Sequence, residues 1–137
     1  MSRRDVHVDD LLDARFEPLG RGPAGYDCYG IYLEVNRRLG RAIEDFGSIM
    51  PDNYRAIHDH INGRRTKYRR RDAGEIPQAG DLVLFFGLSK PFCEHIGVML
   101  DKRRFLHSCA GNVGAHVSKL THPLWRDSIE GIYEYRG

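Results

Sequence analysis

Three residues of this chain have the types and the order that acyl-transfer chemistry uses. Cys28 follows Asp27 directly before a helix-like run, and His95 and His107 come later in the chain, twelve residues apart. A helix N-terminus and a neighbouring imidazolium both favour a thiolate over a thiol. A further polar group that orients the histidine completes a triad. Cys28, His95 and His107 therefore predict attack by sulfur on an amide or ester carbonyl.

The two histidines can meet only if their strands pair in a suitable register. The segment EHIGVML around His95 alternates in polarity, and FLHSC around His107 follows it after the turn DKRR. Such segments read as a β-hairpin. If Leu100 opposes Arg104, His107 opposes Gly97. His107 then lies diagonally from His95 on one face, within reach of its side chain.

The remaining elements follow from apolar periodicity and from turn residues. Residues 5–15 predict a short helix with Val8, Leu11 and Leu12 on one side. Residues 28–39 predict a longer helix, which Asp27 caps and Gly40 ends, with a core face of Ile31, Val35 and Leu39. A third helix is predicted at 53–61, and strands are predicted at 82–86, 94–100, 105–109, 116–120 and 131–136. Helices followed by an antiparallel sheet indicate a single α+β domain spanning 1–137.

Composition excludes several classes of function. The chain has 137 residues and a net charge of +2, from 21 basic and 19 acidic residues, which argues against nucleic acid as the main partner. No stretch approaches the roughly 20 apolar residues of a membrane span. The N-terminal segment is charged throughout, so the sequence predicts synthesis in the cytoplasm without a signal peptide. Three cysteines, an odd number, argue against a disulfide framework.

Four short motifs, in this order, carry a family resemblance. They are DCYG at 27–30, GDLVLFF at 80–86, HIGVML at 95–100 and FLHS at 105–108. From about Leu19 to the C-terminus the chain resembles the NlpC-type cell-wall cysteine peptidases of the papain-like superfamily. That family opens its catalytic helix with Asp-Cys-Ser-Gly and continues with a Gly-Asp strand, a His-Val-Gly strand and a third polar residue.

The resemblance implies a papain-like fold and a role for each matching residue. Cys28 would be the nucleophile, His95 the general base and His107 the orienting third member. The backbone N–H of Cys28 would donate to the oxyanion, and the small Gly30 would allow close approach of helix and sheet. The implied substrate is a peptidoglycan stem peptide, cleaved between D-γ-glutamate and a diamino acid, with no cofactor and no metal.

Two departures from the family pattern affect this interpretation. Phe16 stands where the family usually has a tyrosine that helps the oxyanion, so that donor is missing or replaced, for example by Tyr26. Losing one such donor costs roughly 2.7–4 kcal/mol of transition-state stabilisation. Tyr29 replaces the usual serine. The pattern Asp-Cys-aromatic-Gly before a helix ending in RRLG resembles the phage tail-tip subgroup, which implies a virion-associated domain that acts at the cell wall.

Several alternatives stay open at this stage. His116 is a second candidate for the third member of the triad. Cys93, His95, His107 and Cys109 have residue types suited to zinc, although a hairpin could splay them along the ladder and Cys28 would be left unexplained. Related folds act as acyltransferases or thioesterases, and a non-catalytic tail or binding module could retain the same motifs.

The basic run GRRTKYRRR at 63–71 has two interpretations. The simpler one is a solvated loop or helix end, and the other is attraction to an anionic polymer or a partner protein. Stem peptides carry carboxylates, so Arg64, Arg65 or Arg69 could help to dock them.

Overall fold

The fold of this chain is known from a computed structural model. It describes residues 6–17, 20–45, 61, 67–86, 93–109 and 114–137. Within these ranges a helix packs on an antiparallel sheet, so the predicted α+β class is confirmed. The elements are α1 Cys28–Arg38, β1 Tyr68–Arg70, β2 Leu82–Phe86, β3 Cys93–Met99, β4 Arg104–Cys109, β5 Gly114–Lys119 and β6 Ile129–Tyr135.

The six described strands form one sheet in the order β1-β6-β2-β3-β4-β5. Every neighbouring pair is antiparallel. The hairpin of β3 and β4 has the predicted register, because Val98 pairs with Leu106 and Met99 with Phe105. The amide of Leu100 also donates to the carbonyl of Arg104 at 2.8 Å.

Helix α1 begins and ends where the sequence predicts. Gly40 follows it with φ +83°, a left-handed conformation that favours glycine, and Leu39 is its C-cap. Ile31 and Val35 are fully buried. They pack with apolar side chains from the near face of the sheet, among them Leu82, Leu84, Ile96, Val98 and Leu106.

A polar contact fixes α1 relative to the sheet. The side-chain amide of Asn36, fully buried in α1, donates to the carbonyl of Gly80 at 3.0 Å. The amide of Gly80 in turn donates to Met99 at the end of β3. Gly80 has φ +93°, and an added Cβ would lie 2.7 Å from the Asn36 side chain. Only glycine therefore fits this junction, which ties the helix to the strand that carries His95.

The predicted N-terminal helix over 5–15 is wrong. Within the described part of this segment there is only a 3-10 turn at Asp9–Leu11. Asp13 adopts φ +65° and its amide donates to the carbonyl of Ala115 in β5, so the chain leaves the helical path to pair with the sheet. Val8 and Leu11 are buried as expected, whereas Leu12 is 41% exposed.

The basic run contains a strand that the sequence analysis did not predict. Tyr68–Arg70 forms β1 at the edge of the sheet, paired with β6. Arg71 makes a bidentate contact with the buried Asp81, and Arg69 contacts Glu75 and Glu134. These arginines have carboxylate partners and hold the sheet edge together. Arg64, Arg65 and the predicted helix at 53–61, except Ile61, lie outside the described residues.

Candidate active site

Cys28 is the first residue of α1, directly after the N-cap. The Asp27 side chain accepts a hydrogen bond from the amide of Gly30 at 2.6 Å, so the predicted cap is confirmed. Asp27 is 1% exposed, and its Oδ2 has no hydrogen-bond partner among the described residues. The cap holds the first turn in place and thereby sets the position of the thiol.

Arg21, a residue that the sequence analysis missed, supports this cap. Its guanidinium lies 2.9 Å from Oδ1 of Asp27, and its Nε lies 2.8 Å from Asp45. It also lies over the ring of Tyr29, 5.5 Å from the ring centre. A lone arginine in a Pro/Gly loop has no distinctive sequence signal, because its role depends on where the loop folds back.

Gly30 is required for a different reason from the predicted one. An added Cβ would lie 2.1 Å from the carbonyl oxygen of Gly20. That oxygen belongs to the loop before α1, and it accepts the amide of Asp27 at 3.2 Å. The close approach is therefore between helix and loop, and the expected helix–sheet contact at Gly30 is corrected.

The structure brings His95 and His107 together. Nε2 of His95 lies 2.7 Å from Nδ1 of His107, a hydrogen bond between the two rings. His107 is fully buried, whereas His95 is half-buried. The second nitrogen of His107, Nε2, lies 3.0 Å from the hydroxyl of Ser118 on β5. The predicted proximity of the two histidines is confirmed, and Ser118 extends the chain of polar contacts.

His116, the rival third member, lies beside His107. Its ring centre is 4.2 Å from that of His107 across the β4–β5 pair. Its Nδ1 lies 3.2 Å from the carbonyl of Gly114. The hydrogen bond to His95 comes from His107, so the geometry favours His107 over His116 for the orienting role.

Aromatic rings surround the histidine pair on the face of the sheet opposite to that carrying Ile96 and Leu106. Trp125 stacks on His95, with ring centres 5.9 Å apart and planes 26° apart, and meets His107 edge-on at 4.9 Å. Phe85 lies 5.5 Å from His95, and Phe105 lies 4.7 Å from His107. The rings thus shield His107 from water and cover part of the His95 ring. The sequence signal for Trp125 was weak, since it stands in an irregular segment before β6.

The surroundings of Cys28 change the pKa of its thiol in both directions. Burial and then the Asp27 carboxylate raise the pKa of the Cys28 thiol to about 12. The backbone amides of Ile96, the residue after His95, of Tyr29 and of Cys28 itself lower this pKa by a smaller amount. The expected shift towards thiolate is therefore wrong for this conformation, because desolvation of the anion outweighs the helix N-terminus.

The histidines are held neutral. Burial, with a smaller contribution from His116, lowers the pKa of His95 to about 4. Burial and then His95 itself lower the pKa of His107 to about 2. The expected imidazolium is thus also corrected. At neutral pH the site holds a thiol and a neutral imidazole, so a proton would move during attack, as in general-base catalysis.

Phe16 and Tyr26 are the two aromatic residues considered for the oxyanion donor, and their backbones pair shortly before α1 begins. Phe16 is half-buried, and its backbone pairs with that of Tyr26. The Tyr26 side chain is buried with its hydroxyl against Gly22, and its carbonyl accepts the hydroxyl of Ser108 at 3.2 Å. Burial raises the pKa of the Tyr26 phenol. The use of Tyr26 as a replacement donor stays a prediction.

The zinc alternative would need Cys93 and Cys109 to join the two histidines as ligands. His95 and His107 bond to each other, and the side chains of Cys93 and Cys109 lie outside the described part of the chain. Among the side chains that the structure does describe, no group of three or more potential ligands could hold a metal ion. In the same described part, no helix is long and apolar enough to cross a membrane.

Solved structures share this fold. An NlpC/P60-family protein from Bacillus cereus superposes with a TM-score of 0.65 at 18% identity, over 98% of this chain and 42% of its own. NlpC2 from Trichomonas vaginalis superposes with a TM-score of 0.64 at 18% identity, over 93% of this chain and 44% of its own. A lipoprotein-like NLP/P60-family protein from Staphylococcus aureus superposes with a TM-score of 0.61 at 21% identity, over 93% of this chain and 38% of its own. The chain thus spans about two fifths of the length of these structures.

Sequence comparison leads to the same family. No curated protein sequence matches this chain significantly. The sequence profile of the NlpC/P60 family matches residues 14–134, which is most of the chain and includes Cys28, His95 and His107. Members of that family are generally cysteine peptidases that act on peptidoglycan peptides. With a helix packed on a six-stranded antiparallel sheet and a match of this extent, the chain belongs to the NlpC/P60 family.

Proposed function

We propose that this chain is a cysteine endopeptidase that hydrolyses an amide bond in the peptide stems of peptidoglycan. The observation that carries the proposal is the 2.7 Å hydrogen bond between His95 and His107. His95 lies on β3, and the backbone amide of the next residue, Ile96, lowers the pKa of the Cys28 thiol. A thiol at a capped helix start and a histidine oriented by a second polar group are the parts that nucleophilic catalysis needs.

The reaction proceeds through an acyl-enzyme. The Cys28 sulfur bonds to the carbonyl carbon while its proton passes to a ring nitrogen of His95. The carbonyl oxygen takes up the negative charge, which the backbone N–H of Cys28 at the helix N-terminus stabilises. His95 then protonates the leaving amine as the C–N bond breaks. Water, deprotonated by His95, hydrolyses the thioester and restores the thiol.

The bond to be cleaved follows from the family resemblance. We assign the D-γ-glutamyl–diamino acid bond as the substrate bond. The basic residues offered above as carboxylate docks contribute little to this assignment, because Arg69 already contacts Glu75 and Glu134. Carriage to the wall by a phage tail tip, with tail-tip proteins as partners, is a proposal that rests on the DCYG and RRLG motifs alone.

A stem-peptide assay tests this function. Purified protein is incubated with a free tetrapeptide stem, and the fragments are identified by mass spectrometry. We expect one cleavage, lost in Cys28→Ala and in His95→Ala and reduced in His107→Ala, with unchanged circular dichroism spectra. Cleavage by Cys28→Ala at the wild-type rate would refute the proposal.

A weakly active or non-catalytic binding module is the second candidate. Two observations favour it, namely Phe16 in place of the family tyrosine and the raised pKa of Cys28. Such a module would bind intact peptidoglycan and leave the stem peptides uncleaved. Pull-down on purified cell walls, compared between wild type and Cys28→Ala, separates this candidate from a peptidase, because binding would persist in both proteins without any cleavage.

A further inference from the structure

Trp125 contacts both histidines of the site from outside the strands that carry them. Its ring stacks on His95, with centres 5.9 Å apart and planes 26° apart, and meets His107 edge-on with centres 4.9 Å apart. Phe85 and Phe105, which also flank the pair, lie on β2 and β4. Trp125 instead belongs to the segment between β5 and β6. Its contacts therefore connect the two histidines through a third part of the chain.

Backbone pairing alone does not hold the two histidines side by side. Within the described strands, the β3–β4 ladder ends at the pair Val98–Leu106 on the side of the site. His95 lies beyond this pair on β3, and His107 lies beyond it on β4. Side chains therefore bridge this part of the hairpin. The two histidine rings bond to each other at 2.7 Å, and Trp125 contacts both of them.

The segment that carries Trp125 is fixed by its own turns and by the sheet. The amides of Trp125 and Arg126 both donate to the carbonyl of His122 at 2.9 Å. The amide of Leu120 donates to the carbonyl of Arg103, in the turn between β3 and β4, at 2.9 Å. The indole packs on an apolar cluster formed by Val83, Phe85, Met99 and Phe105. The fold therefore places the indole beside the histidines without any bound substrate.

We propose that Trp125 is a positioning residue that holds the His95 ring against His107 and covers one of its faces from water. The stack sets the plane of the His95 imidazole, and the edge contact keeps His107 beside it. This inference rests on the proposed function for its purpose, because His95 is the general base of that reaction. The contacts themselves involve no substrate.

The cover provided by Trp125 should affect the titration of His95. Burial, more than the charge of His116, lowers the pKa of His95. Removing the indole lets water reach one face of the imidazole, and solvation favours its charged form. The titratable or charged groups on the elements around His95 are Cys28 on α1, His107 on β4, His116 on β5 and the ion pair of Arg126 with Asp127 beside Trp125. All of them stay in place when the indole is removed.

NMR follows the titration of His95 without a substrate. The ring signals of His95 are recorded from about pH 4 to 8 in wild type and in Trp125→Leu. We expect a midpoint higher by about one pH unit or more in Trp125→Leu, and an intermediate midpoint in Trp125→Phe, which keeps a smaller ring. Leu124→Ala alters a 67% exposed neighbour in the same segment and is the matched control, with the wild-type midpoint. Equal midpoints in wild type and Trp125→Leu would overturn the inference.

Fluorescence tests the stack in the wild-type protein itself. Trp125 is the only tryptophan of the chain, so the emission reports this one position. An imidazolium in contact with an indole quenches its emission more strongly than a neutral imidazole does. The emission should therefore fall with the same midpoint as the His95 ring signals, and His95→Gln should abolish this change. An emission that does not follow His95 would refute the stack, even if Trp125→Leu fails to fold.

Kinetics connect the stack to catalysis. We expect kcat to fall roughly tenfold in Trp125→Leu with KM unchanged, and the acid limb of the kcat/KM profile to move up in pH together with the His95 midpoint. Leu124→Ala should keep the wild-type profile. An unchanged kcat and acid limb in Trp125→Leu would contradict a positioning role. If no stem peptide is cleaved but midpoint and emission respond as expected, the proposed function fails and the inference about Trp125 stands.

Discussion

Arg21 and Asp27 form an ion pair 2.9 Å long in which the carboxylate oxygen also accepts the amide of Gly30. One oxygen thus serves both the loop before α1 and the first turn of the helix. Asp27 is 1% exposed, so its charge would be costly without the arginine. This pair connects the loop to the residue that precedes Cys28.

Removing the arginine should destabilise the protein. We expect Arg21→Gln to lower the free energy of unfolding by about 2 kcal/mol, because a buried carboxylate loses a charged hydrogen-bond donor. Cys28 should also become harder to alkylate with iodoacetamide, since the Asp27 charge that raises its pKa is no longer offset. Urea denaturation and the pH dependence of alkylation check both effects.

Asp45→Asn is the matched control for Arg21. The Asp45 side chain is 44% exposed and contacts the same guanidinium. The substitution removes this charged partner and leaves the contact between Arg21 and Asp27 in place. Exposed ion pairs contribute about 0–1 kcal/mol, so this variant should be close to wild type. Equal losses in the two variants would show that the buried pair has no special role.

Gly30→Ala should be poorly tolerated. The new methyl group would lie 2.1 Å from the Gly20 carbonyl oxygen, a backbone atom that itself bonds to Asp27. We expect a loss of about 1–3 kcal/mol in the free energy of unfolding, as for overpacking in a core. Gly74→Ala is the control, because nothing lies within 4 Å of its added Cβ. A similar effect at both positions would contradict the close approach.

The neutral histidines predict how stability depends on pH. The folded-state pKa values of His95 and His107 are about 4 and about 2, below the ordinary 6.5 that the unfolded chain keeps. Below pH 6.5 the unfolded chain therefore binds more protons than the folded protein. The stabilisation from the neutral histidines is fully present above pH 6.5 and is lost as the pH falls towards 4. For the fully buried His107 the free energy of unfolding should fall by about 1 kcal/mol per pH unit.

Urea denaturation between about pH 7 and 5 measures this slope before most carboxylates take up protons. The variant His107→Gln should have a smaller slope, whatever its stability at neutral pH, because one proton-linked group is gone. A slope equal to that of wild type would mean that folding leaves the pKa of His107 unchanged, against the account.

Phe16→Tyr restores the residue that the family usually has at this position. The backbone of Phe16 pairs with Tyr26, two residues before Cys28, so the side chain starts close to the helix N-terminus. If the new tyrosine hydroxyl donates to the oxyanion, kcat should rise about tenfold. This is less than the roughly hundredfold or larger change in kcat that one oxyanion donor typically causes. KM should stay constant. Steady-state kinetics on a stem peptide measure this, with Phe16→Leu as the control; equal kcat values would exclude a donor role here.

Much of the scaffold was predictable from local sequence patterns. Strand β2 has the predicted bounds, and the β3–β4 register is the one predicted from placing both histidines on one face of the hairpin. The Asp27 cap and the Gly40 stop are short-range signals, so they too were readable. The helix predicted at 5–15 failed because the amide of Asp13 pairs with a strand a hundred residues away, which no local pattern reveals.

The chemistry of the site was less predictable than its residues. Identity and spacing indicated Cys28, His95 and His107, but their protonation depends on burial by Phe85, Phe105 and Trp125 and on loop packing at Asp27. Arg21 and Ser118 were missed for the same reason. Each acts through a contact that exists only once distant segments have folded together.

Detection of an acyl-enzyme on Cys28 tests the central claim most directly. The protein is mixed with a stem peptide, quenched in acid within the first turnovers, digested and examined by mass spectrometry. We predict that the peptide containing Cys28 gains the mass of the acyl fragment, and that His95→Ala greatly reduces this signal. Product formation without any adduct on Cys28, or an adduct on a different residue, would contradict the account.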